Sequence, residues 1–204
     1  MGRIPAARRK EFQQMAAGAV EGWLRFGFDP SANRFYGQLR VRDGAPVKLE
    51  KQPGPTDYFP GDYSDIWNAN FPTHDYPMAM AEVCLELLRR TGETKFREGV
   101  ERWAAAVQAQ PAPTTAAFGR GAYAESFGRA IHFLAGAGRL LKRESYLRQA
   151  HRLAQAARDT LFTNGMFRGH AGEDRYDAVD GVGYLLLALM RLETGRPASY
   201  GGVG

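Results

Sequence analysis

Residues 121–195 consist of four consecutive segments: GAYAESFGRAIHFLAGAGRLL (121–141), KRESYLRQAHRLAQAARDTLF (142–162), TNGMFRGHAGEDRYDAVDG (163–181) and VGYLLLALMRLETG (182–195). The first, second and fourth segments have the apolar spacing of helices, whereas the third is polar. The first segment is apolar on most sides, and the second carries Arg, Glu and Gln on one face. The stretch is therefore predicted to form a buried helix, a tight turn, an outer helix, a polar loop and a third helix.

A similar arrangement recurs along the chain. Lys95-Phe96 aligns with Ser145-Tyr146, which lies 50 residues later. Thr91-Gly92 recurs as Thr194-Gly195 after 103 residues, which is two such periods. Repeats of roughly this length are typical of arrays of helical hairpins. The segments that resemble one another are LELLRRTGETKFREGVERWAAAV (85–107), GAGRLLKRESYLRQAHRLAQAA (136–157) and LLALMRLETGRP (186–197).

The remaining patterns extend this prediction to a single all-α domain over residues 1–204. Thr94 and Ser145 are suited to begin helices, and glycine or proline follows several apolar runs. A small β-hairpin is expected near residues 33–48, because Phe35 to Val41 alternate and Asp43-Gly44 favours a turn. Helices are predicted at about 5–25, 77–90, 95–109, 123–141, 146–162 and 177–193.

Composition excludes several classes of protein. The chain has 204 residues, 44% of them hydrophobic and 24% charged, as in ordinary globular domains. Its net charge of +5 is spread out, so no nucleic-acid partner is expected. No apolar run approaches the ~18 residues that a membrane helix needs, so no membrane partner is expected either. The first residues, MGRIPAARRKEF, lack the apolar core of a signal peptide, and a soluble, cytoplasmic protein is the default expectation.

The single cysteine, Cys84, excludes an intramolecular disulfide. It lies in the apolar run MAMAEVCLELL, where a small buried hydrophobic side chain is expected rather than a nucleophile.

The turn TGETKF and the inserted segment RFYGQLRVRDGAPV resemble those of the (α/α) toroid, or six-hairpin glycosidase-like, superfamily. The resemblance covers roughly residues 10–197 and implies helical hairpins arranged as a partial toroid. Members of this superfamily include glycoside hydrolases, polysaccharide lyases and sugar epimerases. A complete ring has twice as many helices as we predict here. The chain is thus half of a longer protein, a reduced arc, or a protomer completed in a homodimer.

In such toroids, the loops that lead into the inner helices line one mouth of the ring, and the resemblance implies a substrate site there. Helix capping by Asp and Glu is the alternative explanation for acidic residues in these loops. Three loops of this chain concentrate polar and aromatic residues, namely His74, Asp75 and Tyr76; Tyr123, Glu125 and Arg129; and Arg168, His170, Glu173, Asp174, Arg175, Tyr176, Asp177 and Asp180.

The chemistry predicted for this mouth is acid/base catalysis on a carbohydrate. A hydrolase needs two carboxyl groups beside the glycosidic bond, drawn here from Asp75, Glu125, Asp177 and Asp180. A lyase instead needs an arginine (Arg129, Arg168 or Arg175) to neutralise a uronate, and a tyrosine or histidine such as His170 to remove a proton. Residues predicted to bind the substrate are Trp67, His74, Tyr76, Tyr123, Arg129, Arg168, Arg175 and Tyr176.

Spacing along helices adds two further groupings. Glu125, Arg129 and His132 share a face, for which a plain Glu–Arg surface pair is the alternative. A second shared face is predicted on the helix at about 177–193, formed by Asp177, Asp180, Gly181 and Tyr184.

No cofactor is expected. The four histidines lie far apart, and no phosphate-binding glycine loop occurs. Oxygen ligands suited to Ca²⁺ are present at Asp62, Asp65, Glu173, Asp174 and Asp177, but their spacing fits no EF-hand. A non-catalytic helical-repeat module that binds a glycan or a protein remains the alternative function.

Overall fold

The computed structural model describes residues 5–47, 63–67, 77–113, 123–176 and 181–196. In these ranges the chain is mostly helical and carries two small antiparallel hairpins. None of the helices found there is both long enough and apolar enough to cross a membrane. The elements are α1 (Ala6–Phe26), β1 (Phe28–Asp29), β2 (Arg34–Phe35), α2 (Pro77–Thr91), α3 (Thr94–Ala109), α4 (Ala124–Leu141), α5 (Glu144–Leu161), β3 (Phe162–Thr163), β4 (Met166–Phe167) and α6 (Val182–Thr194).

The helix ends differ from the prediction in two instructive places. α5 begins at Glu144 after the N-cap Arg143, so Ser145 lies inside the helix and is not its cap. The left-handed Lys142 (φ 54°) turns the chain so tightly that the next helix begins early. α6 begins at Val182 rather than near residue 177, because its N-cap Gly181 is also left-handed (φ 79°).

Helix α4 is the centre of the fold. It packs against α2, α5 and α6, and most of its side chains are buried. Helix α5, by contrast, buries a single stripe and exposes its charged face. The small residues of α4 explain its central position, because they let neighbouring backbones approach. The buried positions of the α5 stripe are Ala150, Leu153, Ala157 and Leu161.

The closest approach in this core lies between α4 and α6. A Cβ atom on Gly128 would stand only 2.8 Å from the backbone nitrogen of Leu185. Contacts between real Cβ atoms and backbone essentially never become this short, so only glycine permits the observed packing.

Helices α2, α4 and α6 run in the same direction. Glu82 of α2 meets Arg129 of α4 near the N-terminal ends of the three helices. Further along, Leu85 and Arg191 both approach Gly136. Since residue numbers increase together on all three helices, the helices are parallel. One face of each therefore contributes to a shared surface, which we call the α2–α4–α6 face.

The predicted β-hairpin near residues 33–48 is present only in part. An isolated bridge pairs Leu39 with Pro46, and the turn contains Gly44 at a φ of 71°. The regular hairpin lies earlier, where β1 pairs with β2. Val41 is fully exposed, so the predicted alternation up to that residue is wrong. Only the residues around Phe35 face the core, where the Phe35 ring stacks on Trp103 at 3.7 Å.

Asp29 fastens residues 63–67 to this hairpin. Its carboxylate accepts hydrogen bonds from the hydroxyls of Tyr63 (2.5 Å) and Tyr36 (3.0 Å) and from Ser31. Hydrogen bonds from Ser31 and Tyr63 hold the pKa of Asp29 well below its usual range. The two tyrosine rings stack at 4.9 Å.

A second hairpin, β3–β4, joins α5 to the loop that follows. It closes through Asn164 and Gly165, which have φ values of 48° and 84°. Positive φ at both central residues is what a two-residue hairpin turn of the Asn-Gly type requires. Our sequence prediction missed this hairpin, although the Asn-Gly pair signals it.

Cys84 is fully buried on α2, and its thiol contacts the carbonyl oxygen of Phe96 at 3.5 Å. Burial raises the pKa of Cys84 to about 12. Because the thiolate is the reactive species, we expect labelling by a thiol reagent at pH 8 to be at least about a hundredfold slower in the native than in the denatured chain. Ellman's reagent measures both rates. Equal rates would contradict the burial.

Candidate functional site

Several predicted site residues lie outside the part of the chain that the structure describes. The predictions made for them therefore stay predictions. They are His74, Asp75, Tyr76, Asp177 and Asp180.

Trp67 has the position of a core residue. Its side chain is only 5% exposed, and its ring lies 5.2 Å from that of Phe127. The indole N–H donates to the carbonyl oxygen of Gln110 at 2.7 Å. With both ring and N–H engaged inside the protein, Trp67 has no face to offer a sugar, which corrects the prediction that it binds substrate.

His170 and Arg168 hold the polar loop in place. His170 is buried, its ring lies 4.3 Å from that of Tyr123, and its Nδ1 accepts a hydrogen bond from the Gly172 N–H. Arg168 donates to the carbonyl oxygens of Glu173 (3.0 Å) and Thr160 (3.2 Å). These contacts hold the loop together, and His170 is only 1% exposed, which argues against the predicted acid/base role.

The end of this loop lies beside an apolar cleft. Arg175 extends into solvent and pairs with Glu173 at 3.1 Å. The Tyr176 hydroxyl donates to the carbonyl oxygen of Thr163 at 2.7 Å. Tyr176 lines the cleft, of about 660 Å³, together with Met166 and Leu186. Of the two adjacent acidic residues in this part of the loop, Glu173 and Asp174, Glu173 is paired with Arg175.

A charged network on the α2–α4–α6 face joins three helices. Arg129 donates from Nε and Nη2 to Glu125 Oε1, at 2.9 and 2.7 Å. Its Nη1 reaches across to Glu82 Oε2 at 2.9 Å. The predicted Glu125–Arg129 pair is thus present, but it belongs to a larger group in which one guanidinium links two carboxylates from different helices.

Tyr184 adds the third helix to this network. Its hydroxyl donates to Glu82 Oε1 at 2.6 Å, and its ring lies under the Arg129 guanidinium at 4.6 Å. Such a cation–π contact strengthens when it is partly shielded from water. Glu82 therefore receives one hydrogen bond on each carboxylate oxygen, from α4 and from α6.

Gly181 contacts Glu125 at the N-terminal end of α4 and so helps to position the network. The Cα and Cβ atoms of Glu125 lie directly against Gly181, where any Cβ would stand 2.3 Å from that of Glu125. The N-cap of α6 thus contacts the first turn of α4.

Sequence reasoning singled out Glu125, Arg129, His132 and Tyr184 by helical spacing but missed Glu82. Glu82 lies within the apolar run MAMAEVCLELL. An acidic residue in such a run indicates a paired or exposed side chain, because an unpaired carboxylate is almost never fully buried.

The network is only partly open to solvent, which changes its electrostatics. The side chains of Arg129, Glu82 and Glu125 are 17%, 19% and 23% exposed. Burial raises the pKa of Glu82, against the opposing effects of the Tyr184 hydrogen bond and the Arg129 charge. Burial and the Glu82 hydrogen bond also raise the pKa of Tyr184. A carboxyl group that retains its proton more readily is suited to act as a general acid.

His132 lies about one helical turn after Arg129 on α4. Its Nδ1 is 3.9 Å from Glu82 Oε1, and its ring is 6.0 Å from that of Tyr184. Burial, with the nearby charges of Arg191 and Arg129, lowers the pKa of His132 to about 4. The imidazole is therefore neutral at pH 7 and adds no charge to the site.

A cleft gives access to Glu82 from the side of α1. It has a volume of about 620 Å³ and lies between α1 and α2. Phe12 and Val83 supply apolar surface, and Arg9 and Glu86 supply charge. Its volume is in the range of small-ligand sites, and half of its lining residues are polar or charged.

Within the described ranges, no cluster of three or more His, Cys, Asp or Glu side chains is placed to hold a metal ion. Among the oxygen ligands considered for Ca²⁺, Asp65 instead accepts a hydrogen bond from the backbone N–H of Trp67 at 2.9 Å. Glu173 pairs with Arg175. Asp62 and Asp177 lie outside the described residues.

In comparisons with known proteins, no family model, no curated protein and no solved structure matches the chain.

Proposed function

We propose that this protein is a carbohydrate-active enzyme of the hydrolase type, with Glu82 and Glu125 as its acid/base pair. The observation that supports this is the placement of two carboxyl groups, from α2 and α4, on the same Arg129 guanidinium. Glycoside hydrolysis uses two carboxyl groups in different environments, one as acid and one as base. Glu82 also lines the cleft through which a substrate would enter.

Each carboxyl group has a distinct role in this proposal. Glu82 is the general acid, because burial raises its pKa and favours the protonated form. It donates that proton to the glycosidic oxygen. Glu125 is the more exposed of the two and accepts a proton from the attacking water. Arg129 keeps both groups in place and stabilises the negative charge that moves between them.

The hydrolase version is favoured over the lyase version by Tyr184. A lyase requires a base that removes a proton from carbon, and tyrosine can do this only when its pKa is lowered. The pKa of Tyr184 is instead raised. Of the three arginines considered for neutralising a uronate in that scheme, Arg129 is engaged by two carboxylates, Arg168 by two carbonyl oxygens and Arg175 by Glu173.

The partial toroid belongs to the same proposal. Parallel α2, α4 and α6 would form its inner layer, and α3 and α5 its outer layer. The site would then lie on the concave side. Completion of the ring by a second copy and a cytoplasmic location remain part of this hypothesis.

Glu82→Gln and Glu125→Gln are expected to lower the release of reducing ends from a panel of polysaccharides by at least about a hundredfold. The amides keep the size of the side chain and remove its proton chemistry. Glu98→Gln is the matched control, since Glu98 lies on α3, is exposed, and belongs neither to the charged network nor to the cleft beside Glu82. It should retain activity. Full activity in both site variants would exclude this acid/base pair.

The alternative is a non-catalytic module that binds a glycan or a protein, and one observation favours it. The charges of Glu82, Glu125 and Arg129 compensate one another, as in a network that stabilises helix packing. Isothermal titration with the same polysaccharides separates the two functions. If the double variant Glu82→Gln/Glu125→Gln binds as the wild type does, and neither protein cleaves the ligand, the module is the correct assignment.

A further inference from the structure

Gly136 lies further toward the C-terminal end of α4 than the network around Glu82 and Arg129. Because it has no side chain, it leaves a gap in the α2–α4–α6 face. The guanidinium of Arg191, from α6, lies in this gap. Its Nη2 would stand 2.9 Å from a Cβ on Gly136, and the Leu85 side chain of α2 closes the other side. Any larger residue at 136 would displace the guanidinium. The absence of a side chain there is therefore what lets Arg191 lie across α4.

Arg191 has no hydrogen bond or ion pair with any side chain or backbone group in the described part of the chain. Arg139, the last-turn arginine of α4, is beside it. Arg139 Nη2 donates to the carbonyl oxygen of Leu192 at 2.7 Å, but its buried Nη1 has no partner among the described residues. Leu192 follows Arg191 in the chain, and the charge of Arg139 acts on Arg191, so the two guanidinium groups lie near each other. The buried Nη1 of Arg139 is the donor that lacks an acceptor among the described residues. Buried hydrogen-bond donors usually have an acceptor, because a buried donor that makes no hydrogen bond costs free energy.

The local charge is positive. Burial, and then the charge of Arg139, lowers the pKa of Arg191, and Arg89 acts in the same direction. Glu82 is the carboxylate that opposes them. An anion bound here would relieve repulsion between the arginines and accept their unused hydrogen bonds.

Neutralisation of a helix dipole explains Arg139 but not Arg191. Cations are favoured near C-terminal carbonyl groups, and Arg139 binds such a carbonyl on α6. Arg191 turns away from the end of its own helix and reaches Gly136 on α4. The direction of its side chain therefore points to a partner on the α2–α4–α6 face.

We propose that Arg191 and Arg139 form a subsite for a carboxylate or sulfate group carried by the saccharide. The choice of a saccharide rests on the proposed function, whereas the choice of an anionic group does not. Arg191 follows Tyr184 by two helical turns, or about 10 Å along α6. The charged substituent would thus lie beyond the sugar bound at Glu82 and Glu125.

Anion binding can be measured without any turnover. The Nε–H signals of the arginines are followed by NMR during titration with sodium sulfate and, separately, with sodium acetate. We expect saturable shifts for Arg191 and Arg139. Arg191→Gln should weaken this binding at least about tenfold, as loss of a charge-assisted hydrogen bond does. Arg148→Gln, an exposed arginine of α5, is the control and should leave the affinity unchanged.

A second titration compares galacturonate with galactose, which lacks the carboxylate. Preference for galacturonate in the wild type, reduced in Arg191→Gln and partly restored in Arg191→Lys, supports the subsite. Circular dichroism establishes that each variant is folded. Shifts that do not saturate, or that are equally large at Arg148, would overturn it. Saturable anion binding in a protein that cleaves no polysaccharide would leave the subsite intact and remove the proposed hydrolase activity.

Discussion

Replacing Gly128 by alanine is expected to lower the free energy of unfolding by about 3 kcal/mol, the upper part of the range for overpacked cores. The added methyl group would stand 2.8 Å from the backbone nitrogen of Leu185 and 2.9 Å from its Cα. Backbone atoms cannot rotate away as a side chain can, so α6 must move off α4. Chemical denaturation followed by circular dichroism measures the loss.

The control for this change is Gly22→Ala in α1. Nothing lies within 4 Å of a Cβ at that position. Alanine is the better helix former, so this variant should gain about 0.5–1 kcal/mol. If Gly128→Ala were as stable as Gly22→Ala, the close contact of α4 with α6 would be refuted.

Arg129→Met is expected to destabilise the fold by about 2–3 kcal/mol at pH 8, because it leaves the carboxylate of Glu82 partly buried without its cation. The loss should be much smaller near pH 4. Burial already raises the pKa of Glu82 above its ordinary value of 4.5, and the Arg129 charge opposes that rise. Without Arg129, the pKa rises further. The folded state then holds the proton more tightly than the unfolded state, so stability falls as pH rises through the folded-state pKa.

Denaturation curves at pH 4, 6 and 8 test this dependence. The double variant Arg129→Met/Glu82→Gln should lose most of the slope with pH, because the titrating group is gone. Arg97→Met, an exposed arginine of α3, should change stability by less than about 0.5 kcal/mol at every pH. A pH-independent loss in Arg129→Met would show that packing, rather than the charge of Glu82, explains the effect.

The helices could be predicted from the sequence because their signals are local. Apolar spacing predicts α2 and α3 to within one residue, helped by Pro77 in the first turn of α2, Gly92 after its last turn and Pro111 after α3. Start sites that depend on a left-handed residue were harder to place. Lys142 and Gly181 each set where a helix begins, and a left-handed lysine has no clear signature in sequence.

The site was less predictable because its contacts are not local. Glu82 binds Arg129, 47 residues away, and Tyr184, 102 residues away. Helical spacing groups Arg129 with Glu125 but says nothing about which other helix faces them. Trp67 shows the same limit, because an aromatic side chain suits a sugar platform and a core equally well until its neighbours are known.

The central position of α4 has a consequence for how the chain assembles. Its contacts with α5 form across a turn at Lys142 and Arg143, whereas those with α2 must close a span of 47 residues. Loop closure costs more entropy as the span lengthens, and short-range contacts form faster. We expect the α4–α5 hairpin to nucleate folding, with α2 and α6 docking onto it later. The charged network would then form in the last step, when the three parallel helices first come together.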